Sequence, residues 1–297
     1  MEGIINILKP PGMSSHDVVN IIRKKTNIKK VGHTGTLDPS AAGVLPICIG
    51  KATKISNYLL NDTKSYRAEL LLGIETDTQD TDGQILKTKT INKSKEDIIR
   101  TILSFVGVYN QVPPMYSALK VGGKKLYDFA REGIEIERKS RRIEIYKIHI
   151  VYIKDNRVLF DVECSKGTYI RTLCHDIGQA LECGGTMSFL LRTRAGKFDI
   201  DSTISIEELN QTNLIKKHLL PIDYPLTHIP KIHIHPSQKK LALNGNPISE
   251  KYFTTCGHCD QDQTVAIYLE NKFVGLGKIQ NDPSNNALLL KFSRLLI

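Results

Sequence analysis

Apolar and polar positions along the chain follow two periods. They alternate over residues 66–72, 142–153 and 158–164, with Ile143, Ile145, Ile148 and Ile150 marking the middle run, and this predicts half-buried strands, the last two paired. A helical period holds over about 15–26. There Val18, Val19, Ile21 and Ile22 form one stripe, Ser14 or Ser15 supplies the cap, and Arg23, Lys24 and Lys25 meet the negative helix end. Ser94-Lys-Glu-Asp97 is a capping box for a second helix that carries Ile98, Ile99, Ile102, Leu103 and Phe105 and stops at Gly107. Shorter helices are predicted at 52–60 and 126–131, and another from the end of the 158–164 strand to about 181. The acid-rich Thr76-Asp-Thr-Gln-Asp-Thr-Asp-Gly83 joins strand 66–72 to a strand at 84–90; it lacks the twelfth-position acid of a calcium loop, so a hairpin-like connection is expected. Residues 193–222 read as an acidic, Asn/Gln-rich tail. Beyond 224, short strands at 231–235, 265–270, 272–279 and 287–292, with a turn at Leu243-Asn-Gly-Asn-Pro-Ile248, predict a small barrel or half-barrel.

One stretch, residues 31–46, fits neither period. Gly32, Gly35 and Gly43 permit backbone angles closed to other residues, and Pro39 pushes Asp38 toward an extended conformation. A shaped loop is expected, neither an ordinary helix nor a long strand. It presents a lone carboxylate beside His33, Thr34 and Thr36, which suits a nucleophile better than a metal cage. The alternative is an Asx-type turn in which Asp38 bonds only to nearby backbone. Lys51 and Lys54, which follow the loop, read as solvated charges.

The 297 residues suffice for a large core plus a smaller domain, and the formal charge of +10 favours a polyanionic partner through counterion release. No apolar run approaches the roughly 20 residues of a membrane span, and the start of the chain lacks a signal-peptide pattern, so a cytoplasmic location is expected. Six scattered cysteines then read as free thiols. Cys256-Gly-His-Cys259 leaves open a redox pair or half of a zinc site, with His228, His233 and His235 nearby, but no second CxxC accompanies it. Basic residues interleaved with Tyr109, Tyr116 and Tyr127 over about 108–140 suggest an insertion that grips an RNA backbone; a solvated loop is the plainer reading.

Gly32-His-Thr-Gly-Thr-Leu-Asp-Pro39 followed by Ala-Gly-Val-Leu-Pro resembles the catalytic motif of TruB-type tRNA pseudouridine synthases. Further blocks match in order: Asn6-Ile-Leu-Lys-Pro-Pro-Gly12, Lys64-Ser-Tyr-Arg67, Pro113-Pro-Met-Tyr-Ser-Ala-Leu-Lys120 and Cys164-Ser-Lys-Gly-Thr-Tyr-Ile-Arg171. The resemblance implies conversion of the T-loop uridine at tRNA position 55 to pseudouridine, with no cofactor and no metal. It casts Asp38 as nucleophile toward C6 or C1′, and Arg171 as the cation holding its charge. By the same resemblance Tyr66 stacks on the everted base, with a possible proton-transfer role for its hydroxyl. Tyr169 forms a second wall, Leu190 (or, one place on, Leu191) an apolar contact, and His33 fills the space the base vacates. Lys120 takes a phosphate or steadies the Tyr116 loop.

The implied fold is an α/β (α+β) catalytic domain, residues 1–218, with a mixed and largely antiparallel sheet and flanking helices. A PUA-like RNA-binding β-barrel follows at 222–297. The expected partner is the T arm and elbow of tRNA, bound by a monomer needing no protein partner. Two rivals stay open: a related enzyme acting on another RNA with a guide or accessory partner, and a non-catalytic RNA-binding module with no need for Asp38 and Arg171 together.

Overall fold

Gly3–Lys9 and Ala42–Ile49 are buried almost without interruption, so their side chains must be covered on both faces of one sheet. The computed structural model, which describes residues 1–60, 62–210, 214–256, 260–281 and 287–296, shows what covers them. The Ser15–Thr26 helix lays Val18, Val19 and Ile22 on one face, against Ile5, Ile7, Leu45, Ile47 and Ile49. Alternate residues Ile4, Val44 and Cys48 point the other way, into a cluster with Ala266, Tyr268 and Leu276 of the C-terminal sheet and Leu296 just beyond it. That helix begins at Ser14 with a complete capping box, whose Ser14 and Asp17 side chains satisfy each other's backbone N–H.

Among the described residues the large sheet has ten strands. Its path runs Ile204–Ser205, Gly3–Lys9, Ala42–Ile49, Gly185–Ala195, Lys64–Leu72, Arg157–Cys164, Arg141–Lys154, Gly107–Gln111, with Val31–His33 and Phe198–Asp199 attached to the third and fourth strands. Pairing is antiparallel except at Ile204–Ser205 with Gly3–Lys9 and at Ala42–Ile49 with Gly185–Ala195. The Lys95–Leu103 and Ile170–Ala180 helices cover the other half of the sheet, burying Ile98, Ile102, Leu173 and Ile177 against Leu70, Ile145 and Phe160. The predicted α/β (α+β) class with a mixed, mainly antiparallel sheet and flanking helices is therefore the observed one. Among the described residues a second, six-stranded sheet spanning 231–295 forms the expected curved β module, in the order Ile248–Ser249, Leu288–Leu295, Lys272–Asn281, Thr264–Leu269, Lys231–Ile234, Phe253–Cys256.

Five expectations need correction. Residues 31–33 and 42–46 are not loop: Val31–His33 is a short strand paired with residues 47–49, and 42–46 open the eight-residue central strand Ala42–Ile49, where Asn6 pairs with Pro46. The supposed tail begins inside Gly185–Ala195, a central strand that pairs on both sides, and Ile204–Ser205 closes one sheet edge. The 84–90 strand pairs not with 66–72 but with Ile74–Thr76, in a separate hairpin. Gly107–Gln111 is the opposite sheet edge, so the insertion starts only after it, as the hairpin Lys120–Val121/Lys124–Lys125 and the Leu126–Arg131 helix. Lys54 donates to the Leu295 carbonyl and Lys51 pairs with Glu2, so neither is merely solvated. No helix among the described residues is long and apolar enough to cross a membrane.

The two parallel central strands meet at Gly43 and Arg192. Gly43 has φ +120°, and a Cβ there would stand 2.2 Å from the Arg192 carbonyl oxygen. Only glycine lets the strands close, and the loop that precedes this contact hangs directly over it.

Candidate active site

The loop at 34–41 is held by backbone and side chains on every side. The Ser15 hydroxyl accepts the Leu37 N–H at 2.9 Å, and the Pro39 carbonyl accepts from Gly12 N–H at 2.8 Å. The fully buried Lys9 ammonium donates to the Pro39, Pro10 and Met13 carbonyls. Arg192, only 1% exposed, donates through Nε to Val44 O at 2.7 Å and through Nη2 to Gly35 O at 3.1 Å. Asp38 is thus presented on a fixed backbone, which excludes the simple Asx turn.

Arg171 enters from the first turn of the Ile170–Ala180 helix. Its Nη2 donates to Asp38 Oδ1 at 3.1 Å, while Nε approaches Oδ2 at 2.9 Å as an ion-pair contact outside hydrogen-bond alignment. The same guanidinium donates to Thr78 O at 3.0 Å and Tyr116 O at 2.8 Å, with Asp80 at 3.6 Å, and is 5% exposed. The acid-rich connection and the insertion therefore converge on this one arginine. Desolvation raises the Asp80 carboxyl, against the opposing pull of Thr78 and Arg171.

Asp38 and Arg171 lie between two cavities. The smaller, about 300 Å³, is lined by Tyr66, Tyr169, Leu190, Lys64 and Arg192 as well as the pair. The larger, about 720 Å³, is lined in addition by His33, His16, Tyr116, Tyr127 and Arg131. Tyr66 lies opposite Arg192 across neighbouring strands, and burial pushes its hydroxyl up to about 12 while the Arg192 charge acts the other way. Burial, then Arg192 and His16, lower the His33 pKa.

The structure thus gathers Asp38, Arg171, Tyr66, Tyr169 and Leu190 around one cavity and sets His33 on its neighbour. It places Leu190, not Leu191, in the lining. Lys120 is not brought in: it is exposed on the insertion hairpin, and neither cavity beside Asp38 is lined by it. Cys259 and the side chain of Cys256 lie outside the described residues, and among the described ones no group of three or more His, Cys, Asp or Glu is arranged to hold a metal. The four described thiols, of Cys48, Cys164, Cys174 and Cys183, are free and buried.

Sequence reasoning missed Lys9, Lys64, Gln111 and Arg192. For Lys64 a signal existed: it shares a strand phase with the lining residue Tyr66, two positions away. Lys64 donates to the Leu60 and Asp62 carbonyls, and burial, reinforced by Arg192, brings its pKa down from 10.5 to about 8. Between those values the unfolded chain binds more protons than the fold, so this group makes stability rise with pH; below about 8 the cost of its buried charge is fully present. Replacing it (Lys64→Met) should flatten the rise of the urea midpoint between pH 8 and 10. An unchanged slope would show that Lys64 does not titrate in that window.

The chain is similar over its length to known proteins. Residues 23–170 match the model of the TruB family pseudouridylate synthase N-terminal domain, and residues 171–227 that of the tRNA pseudouridylate synthase B C-terminal domain. The chain is 56% identical to tRNA pseudouridine synthase B of Alkaliphilus oremlandii over 296 residues, covering 100% of this chain and 99% of that one. It is 50% identical to the protein of the same name from Clostridioides difficile, covering both chains fully. Among solved structures, a chain of a Cbf5-Nop10-Gar1 complex superposes with TM-score 0.77 at 30% identity. A chain of an H/ACA RNP bound to a substrate RNA containing 2′-deoxyuridine superposes with TM-score 0.76 at 27% identity. In both cases 99% of this chain and 85% of the other are covered.

Proposed function

Since the chain belongs to the TruB family of pseudouridylate synthases, with tRNA pseudouridine synthases as its full-length relatives, we propose that it isomerises the T-loop uridine at tRNA position 55. The observation that carries the mechanism is the Asp38–Arg171 contact in the wall of a cavity of about 300 Å³. Residues 1–218 perform the chemistry and residues 222–297 add RNA-binding surface, in the cytosol.

A uridine stacked in a folded loop must first be everted, at a cost of a few kcal/mol that aromatic and apolar walls offset. Tyr66, Tyr169 and Leu190 supply such walls. Asp38 then adds to C6 or C1′, the bond from C1′ to N1 breaks, the base turns, and C5 joins C1′. Loss of the C5 proton and release of Asp38 complete an isomerisation that needs neither an oxidant nor an energy source. Arg171 pairs with the nucleophile and aims it, because an isolated charge is heavily penalised once water is excluded.

With its hydroxyl raised to about 12, Tyr66 is protonated at neutral pH, so it serves as a hydrogen-bonding relay for the C5 proton more readily than as a standing phenolate base. Tyr66→Phe should keep RNA affinity and lose about 100-fold in kcat. Turnover equal to wild type would leave the ring as wall only.

The two solved structures named above are assemblies with other proteins or a substrate RNA, whereas this chain is proposed to act alone. Purified protein, incubated without additives with unmodified T-arm hairpin and with full tRNA transcripts, should yield pseudouridine at position 55 in both. No product until an accessory factor is added would overturn the reading, as would product at another uridine.

A further inference from the structure

Gln111 ends the edge strand Gly107–Gln111 and is 1% exposed. Its Oε1 accepts the Tyr169 N–H at 2.8 Å, and its Nε2 donates to the Tyr169 carbonyl at 3.1 Å and to the Tyr109 hydroxyl at 2.7 Å. One carboxamide therefore pairs with a residue's backbone as an adjacent strand would. Tyr169 needs such a partner. It is the N-cap of the Ile170–Ala180 helix, extended at φ −100° and ψ 112°, and no side chain caps that helix. The neighbouring Thr168 hydroxyl is turned away, donating to Ser165 O. Helix N-terminal N–H groups left without a partner are costly when buried, and their placement fixes the direction in which the first turn points.

The first turn matters here because Arg171 lies two residues beyond Tyr169, and the Tyr169 ring itself lines the smaller cavity. We infer that Gln111 is a positioning residue for the reaction proposed above: it sets Tyr169 against the target base and, through the helix start, aims Arg171 at Asp38. The inference rests on that reading of the site. Tyr109, which holds the amide's orientation, is itself wedged edge-on against Phe105 at 5.5 Å, so the sheet edge and the Lys95–Leu103 helix end share in fixing the pocket wall.

An amide is suited to this task because it offers an acceptor and a donor on one rigid plane. A neutral carboxylic acid offers the same pair, with the Tyr109 hydroxyl turning to donate to it. A carboxylate does not, since it sets a negative oxygen against the Tyr169 carbonyl. The charged and titratable groups around the amide and its partners are Tyr109, Tyr169, Asp176, Cys164, Cys174, Arg141 and Arg171, together with Asp38. Dividing each variant rate by the wild-type rate at the same pH removes their contribution.

The test measures kcat and KM for pseudouridine formation in a T-arm hairpin by wild type, Gln111→Met and Gln111→Glu, with the melting temperature of each. Wild-type turnover checks the reading of the site first: without it that reading fails, whatever the variants do. Given an active wild type, Gln111→Met is expected to lose about 30- to 100-fold in kcat with KM within about threefold. Gln111→Glu should approach the wild-type rate at low pH and fall away from it as its carboxyl ionises. A kcat for Gln111→Met equal to wild type, or a Gln111→Glu ratio flat across pH, overturns the inference. Should Gln111→Met fail to fold, the Gln111→Glu ratio decides alone, and failure of both to fold at every pH assigns the amide to folding and overturns the positioning role.

Discussion

Asp38→Asn is expected to bind T-arm RNA as wild type does and to form no pseudouridine, a loss on the order of 10⁴-fold or more in kcat, as for removal of other covalent nucleophiles. The substitution is nearly isosteric. Its amide oxygen can still accept from Arg171 Nη2, and Arg171 keeps the Thr78 and Tyr116 carbonyls and the nearby Asp80 as partners. The cavity walls are thus left in place, and what disappears is the negative oxygen. RNA binding is dominated by phosphate contacts, none of which this carboxylate can make. The measurement is single-turnover product formation at saturating enzyme beside a binding isotherm. Turnover within tenfold of wild type would remove Asp38 from the role of nucleophile.

Arg171→Lys should be the second most damaging conservative change, lowering kcat by about 100-fold or more while RNA affinity and its salt dependence stay near wild type. A guanidinium spans four partners at once: Asp38, Thr78 O, Tyr116 O and Asp80. An ammonium is a point charge on a flexible stem and cannot hold the carboxylate from two sides. Charge reversal, Arg171→Glu, should abolish turnover entirely, since it sets a third acid beside Asp38 and Asp80. If Arg171 instead served a phosphate, the lysine variant would keep its rate and the neutral Arg171→Met would reduce the salt slope of binding by about one. That pair of results would refute the assignment.

Much of the site could be read along the chain because its residues cluster in short runs with unusual chemistry. A carboxylate between Leu37 and Pro39 in a glycine-rich loop, and a Tyr169-Ile-Arg171 run at a strand-to-helix junction, announce themselves locally. A cap at Ser94, and one at Ser14 or Ser15, were legible for the same reason: the Ser14 and Ser94 side chains each accept an N–H three residues on, from Asp17 or Asp97. What could not be read depends on partners far along the chain. The strand Gly185–Ala195 hid because it is buried on a central path and its register with Lys64–Leu72 shifts twice, which breaks the simple alternation. Arg192 and Lys9 look like surface cations until the carbonyls that enclose them are in view. Gln111 carries no local mark at all, since its partner Tyr169 stands 58 positions on. Residues 42–46 were misjudged because Pro46 and Gly43 are poor strand formers in isolation. The close approach to Arg192 makes the glycine obligatory, and partners on both sides hold the proline in register.

The cluster that joins Ile4, Val44, Cys48 and Ala195 to Ala266, Tyr268, Leu276 and Leu296 has a practical bearing on how the protein can be dissected. Cutting the chain near residue 222 would strip an apolar wall from strands that lead straight into the Asp38 loop, leaving a sticky, loosened fragment in place of a minimal enzyme. Severed halves should therefore recover activity only when mixed, by complementation. Hydrogen exchange along Gly3–Lys9 and Ala42–Ile49 should report the state of the C-terminal sheet as faithfully as its own amides do.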